Sequence, residues 1–62
     1  MTEMERILLE CRYLLSLDKN YLEIANYLSI KEDVVYNDLN NKLPKIDSIL
    51  YNRVKKKLDK IV

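Results

Sequence analysis

Residues 20–44 read NYLEIANYLSIKEDVVYNDLNNKLP, and the spacing of their apolar side chains decides the fold. Ile24, Ala25 and Leu28 share one face of a first helix, and Ile30 follows in a turn. Val35 and Leu39 then mark the inner face of a second helix. Two helices that cross closely leave room only for a small side chain at the crossing, and Ala25 supplies it. This spacing predicts a helix-turn-helix over about residues 20–43. Other small three- or four-helix bundles show a similar spacing, so the pattern fixes the class of fold more firmly than its use.

Boundary signals agree with this reading. Asn20 followed three residues later by Glu23 is a capping-box pattern with Asn in the place of Ser or Thr, and predicts a helix from about Tyr21 to Leu28. Ser29 and Glu32 also fit a capping box. A start near Lys31 is preferred because it leaves Ile30 free to plug the core. The helix is then expected to run to about Lys42 and stop before Pro44, whose ring disfavours helical geometry at Leu43.

Upstream, Met4, Ile7, Leu8, Cys11, Leu14 and Leu15 form an apolar stripe that predicts a helix from about Thr2 to Leu17, with Asp18 and Lys19 as a polar break. Downstream, Asp47 is the expected N-cap of a last helix, with Ile46 packing back as a staple. Leu50, Val54, Leu58 and Ile61 line one face of that helix, while Arg53, Lys56, Lys57 and Lys60 stay outside it. The expected architecture is all-α: one domain over residues 1–62, a compact four-helix bundle containing a helix-turn-helix.

Composition narrows the function. A chain of 62 residues buries only about 60% of its unfolded surface, which leaves little volume for a layered enzyme with a deep pocket. Apolar residues make up 48% and charged residues 34%, the balance of a globular domain, and there is no glycine and one proline. No apolar run approaches the ~18 residues of a membrane span, and the start, MTEMER, lacks the basic-then-apolar order of a signal peptide. The lone Cys11 allows no internal disulfide and follows Met4, Ile7 and Leu8 at helical spacing, as a small core residue does.

Histidine is absent, which removes the commonest general base and metal ligand. The neighbouring acids Glu32 and Asp33 fall at a helix start, where the dipole favours negative charge without any acid–base role. The sequence therefore predicts no catalysis, no cofactor, no metal and a cytoplasmic location.

Charge is uneven. Residues 1–52 carry six basic and nine acidic side chains, net −3, whereas residues 53–62, RVKKKLDKIV, carry five basic and one acidic, net +4. A basic end of this kind suits phosphate; it is equally what the C-terminus of a solvated helix accepts.

The stretch RYLLSLDKNYLEIANYLSIKEDVVYNDLNNKLPKIDSILYNRVKKKLD, residues 12–59, resembles the sporulation stage III transcriptional regulator D family of endospore-forming bacteria. The most specific matches are Asp38-Leu39, Leu43-Pro44, Ile46, Leu50, Asn52, Val54 and Leu58-Asp59; Ile24-Ala25 and Val35 match as well. The resemblance implies a small cytoplasmic regulator that binds DNA as a monomer, through a recognition helix and a basic C-terminal region, and activates or represses genes in the mother cell. The chain departs from the family where acids stand at Glu32 and Asp33, where Ser29 replaces a usual glycine, and where Tyr36 and Asn37 replace a histidine and a basic residue.

Under this reading Glu32, Asp33, Tyr36, Asn37, Asn40 and Asn41 face the major groove of double-stranded DNA. Asn can pair with adenine and Asp or Glu can accept from the cytosine amino group. Lys31, Lys42, Arg53, Lys55, Lys56 and Lys57 hold the phosphates. The alternative is a degenerate helix-turn-helix that contacts a protein partner instead. The acidic helix start favours it, as do Tyr13, Tyr21, Tyr27, Tyr36 and Tyr51 if they are exposed, since tyrosine is enriched in protein contacts.

Overall fold

Every regular segment in the computed structural model, which describes residues 1–61, is helical. The inward position expected for Ile61 lies outside the described side chains. Helix α1 spans Glu3–Leu17 and is opened by Thr2, whose hydroxyl accepts the Glu5 amide at 3.2 Å. It closes on Asp18, in the left-handed region at φ 55°, where the Asp18 and Lys19 amides return to the Tyr13 carbonyl. Helix α2 spans Tyr21–Leu28 with both halves of the capping box formed. The Glu23 amide donates to the Asn20 side chain at 2.9 Å, and the Asn20 amide donates to the Glu23 carboxylate at 3.2 Å.

Ser29 reverses the chain, also left-handed at φ 56°, and Ile30 tucks half-buried into the turn. Helix α3 begins with Lys31 as its N-cap residue and consists of three joined pieces. These are an α-helical start over Glu32–Asn37, a wider π-helical turn over Asp38–Lys42 and a final α-turn over Leu43–Ile46. The stop expected before Pro44 does not occur: Leu43 is helical at φ −57°, ψ −43°, and its amide reaches back five residues to Asp38. A proline inside a helix has no N–H to give and its ring presses on the carbonyl four residues back; the widened turn just before Pro44 makes room for it. The rod breaks at Asp47, which is extended at φ −155°.

Helix α4 spans Ser48–Ile61. Asp47 caps it, its carboxylate accepting the Leu50 amide at 3.0 Å, whereas Ile46 stays exposed and does not act as the expected staple. Among the described residues no helix is long and apolar enough to cross a membrane.

The core draws on all four helices: Ile7, Cys11 and Leu14 from α1, Ile24 and Ala25 from α2, Val35, Leu39 and Leu43 from α3, and Val54 from α4. Each fully buried aliphatic side chain contributes about 1.5–3 kcal/mol relative to exposure. Leu15, Leu28, Leu50 and Leu58 pack against this centre half-buried. Met4 and Leu8, expected inside, are exposed. The inner seam of α1 is instead Ile7, Glu10, Cys11 and Leu14, so a glutamate occupies a position that periodicity reserves for an apolar residue. The radius of gyration is 10.2 Å, close to the ~10.6 Å of a compact chain of this length.

Candidate functional site

Burial of Val35, Leu39 and Leu43 decides which side chains of α3 point away from the core. Lys31, Glu32, Asp33, Tyr36, Asn37 and Asn41 are exposed. Lys31 offers no capping side chain, so the positive end of the helix is met by the carboxylates of its first turn. Tyr36 stands edge-on to Tyr21 of α2, ring centres 5.4 Å apart. Asn41 donates to the Asn37 side chain at 2.7 Å, and this pair lies along the same helix surface. Five of the six expected base-reading residues thus share an open face.

Asn40 is half-buried beside them. Its amide donates to the Tyr21 hydroxyl and to the Tyr36 carbonyl, both at 2.9 Å, and it stitches α2 to α3. A half-buried amide takes partners inside the protein when two acceptors are within reach, and Asn40 does so while bordering the cleft that Tyr36 and Lys55 line.

The expected phosphate contacts also divide. Lys42 is turned toward α1, where its ammonium pairs with Glu3 and lies 3.7 Å from Asp38. The bond to Glu3 holds it above the ordinary lysine range. Lys57 pairs with Asp18 at the end of α1. Arg53, Lys55 and Lys56 are exposed. Lys55 borders a cleft of about 380 Å³ together with Tyr21, Tyr36, Asn40, Tyr51 and Asp59. Arg53 lies elsewhere, beside Asp47, Ile49 and Leu50.

Successive side chains rotate by about 100° around a helix, which sets Lys57 nearly opposite Lys55 with Lys56 between them. The basic end is therefore a fan around α4, and only its Lys55 edge adjoins the open face of α3. Of the five tyrosines that a protein-binding face would draw on, Tyr13, Tyr21 and Tyr51 are half-buried, and Tyr27 and Tyr36 are exposed. Tyr13 stacks on Tyr27 at 5.3 Å, with the Lys19 ammonium 5.7 Å from the Tyr27 ring centre.

One cluster is not foreseen by the sequence pattern. Glu10 of α1 and Asp38 at the π-turn of α3 are both fully buried. Arg6 donates to both Asp38 oxygens, at 2.8 and 2.9 Å, a forked pairing of the strong kind. Glu10 is 3.7 Å from the Arg6 Nε, and neither of its oxygens has a hydrogen-bond partner. Burial, with Asp38 as neighbour, pushes the Glu10 carboxyl up to about 9. Burial acts upward on Asp38 too, but the hydrogen bonds from Arg6 and the nearby cations outweigh it and hold Asp38 below its usual range. The one signal in the sequence is positional: Glu10 falls three residues after Ile7 and four before Leu14, inside the apolar stripe. Read with Arg6, it looks like an ordinary surface pair at i, i+4.

Among the described residues no group of three or more His, Cys, Asp or Glu side chains is arranged to hold a metal ion. No family model, no curated protein and no solved structure matches the chain.

Proposed function

We propose that the chain is a DNA-binding transcriptional regulator that acts by binding alone, with α2 and α3 as its helix-turn-helix and α3 in the major groove. One observation carries the reading. The corner from α2 through Ser29 to α3 buries Ala25, Ile24 and Val35, which leaves Glu32, Asp33, Tyr36 and Asn37 outward on a face that Lys55 of α4 adjoins. A groove-reading helix with a cation beside it combines base contact with phosphate anchoring. The resemblance to the sporulation regulators supports the same assignment and adds the cytoplasmic mother-cell setting. Base contacts fall to Glu32, Asp33, Tyr36, Asn37 and Asn41, with Asn40 bordering them, and phosphate contacts to Lys31 and Lys55, with Lys56 the next cation around α4.

A specific observation favours a second reading, a module that binds protein. Two of the expected phosphate-binding lysines, Lys42 and Lys57, are engaged by Glu3 and Asp18, and the first turn of α3 carries two exposed acids. Selection of bound sequences from random duplex DNA at low salt separates the two. DNA binding gives an enriched motif and an affinity that falls steeply with salt. Failure to enrich any sequence, with no salt-dependent retention of duplex, transfers the function to a protein partner.

A further inference from the structure

We propose that folded Glu10 is a neutral carboxylic acid that shares its proton with Asp38, making the contact between α1 and the π-turn of α3 a proton-dependent clamp. Charge and geometry both lead there. Four groups face Glu10 or its neighbour: Arg6 and Glu3 from α1, Asp38 and Lys42 from α3. Two cations balance two anions, so an ionised Glu10 would leave one negative charge in excess at a fully buried position.

Asp38 keeps the charge because the Arg6 fork engages both of its oxygens. Glu10 has no hydrogen-bond donor on either oxygen and only the long 3.7 Å approach of the Arg6 Nε. Burying a carboxylate without hydrogen bonds is among the costliest arrangements a fold can adopt. Protonation turns the liability into a contact, since the acid becomes a donor and Asp38 is the acceptor beside it. Cys11, the next residue, is buried with it, and Asp47 from the start of α4 acts on that thiol.

The sign follows from the two states. A folded carboxyl held at about 9 keeps its proton where the unfolded one, near 4.5, has released it. The stabilisation is fully present below the unfolded value and is lost as pH rises through the folded one. Across that window the folded chain holds one more proton, so the folding constant falls by up to about tenfold per pH unit. Asp38, shifted the other way, contributes stability above its ordinary value that is lost on acidification below it, outside this window.

The test uses the full chain and no DNA, so it is decided independently of the binding reading. The carbon-13 carboxyl resonance of Glu10 at pH 7 is expected at the protonated position; a resonance at the ionised position overturns the proposal. Denaturant unfolding of wild type and Glu10→Gln between pH 5 and pH 8 is expected to show the wild-type folding constant falling more steeply, by up to about tenfold per unit. Parallel profiles overturn it. Should Glu10→Gln fail to fold, the wild-type resonance decides alone.

Discussion

Both reversals in the helical corner are made without glycine, and both fall on polar residues, Asp18 at φ 55° and Ser29 at φ 56°. Left-handed geometry costs an ordinary L-residue about 1–2 kcal/mol, while aspartate tolerates it through local hydrogen bonding. Ser29 has the weaker compensation and stands where α2 must turn into α3. Ser29→Gly should therefore stabilise the fold by about 0.5–1 kcal/mol, net of the extra freedom glycine gives the unfolded chain. Urea unfolding measures this, and an unchanged or lower midpoint would refute strain at the corner. Ala25 is the other residue the corner depends on, buried where any larger side chain would push α2 away from the core.

At the scale of elements, α3 carries two exposed acids in its first turn and exposed Tyr36, Asn37 and Asn41 beyond it, and on the proposed DNA-binding reading these two parts act in opposite directions. Its two acids favour the helix dipole by about 0.3–1 kcal/mol each and repel DNA by an amount that salt screens. Replacing both, Glu32→Gln with Asp33→Gln, should lower thermal stability slightly and strengthen binding to random duplex, most at low salt. Unchanged affinity at about 50 mM salt, where screening is weak, would mean that this end of α3 does not face DNA. Caps and helix starts are readable from sequence because they are local: Asn20 with Glu23, Lys31 before Glu32 and Asp47 before α4 depend on neighbours a few residues away. The π-turn, the bond from Asn40 to Tyr21 and the buried Glu10 depend on where another helix lies. Pro44 looks like a stop until the backbone ahead of it widens, and Glu10 looks solvated until α3 covers it.

Across the whole molecule the charge asymmetry is resolved by geometry into used and available cations. Lys57 is matched with Asp18, whereas Lys55 and Lys56 are exposed, Lys55 beside the open face of α3 and Lys56 next to it around α4. Lys55→Gln with Lys56→Gln should weaken binding to specific and random duplex alike. The slope of log affinity against log salt should become shallower by about 2, since two phosphates are no longer neutralised. Lys57→Gln should leave that slope unchanged. Equal effects from the two variants, read by fluorescence anisotropy across a salt series, would place the fan of α4 differently against DNA. Cys11 gives the fold a different kind of use. The residue is only 3% exposed and burial pushes its thiol up to about 12, so the reactive thiolate is scarce in the closed molecule. An alkylating reagent is therefore a stopwatch on the interior: each labelled chain records one moment when α1 lifted away.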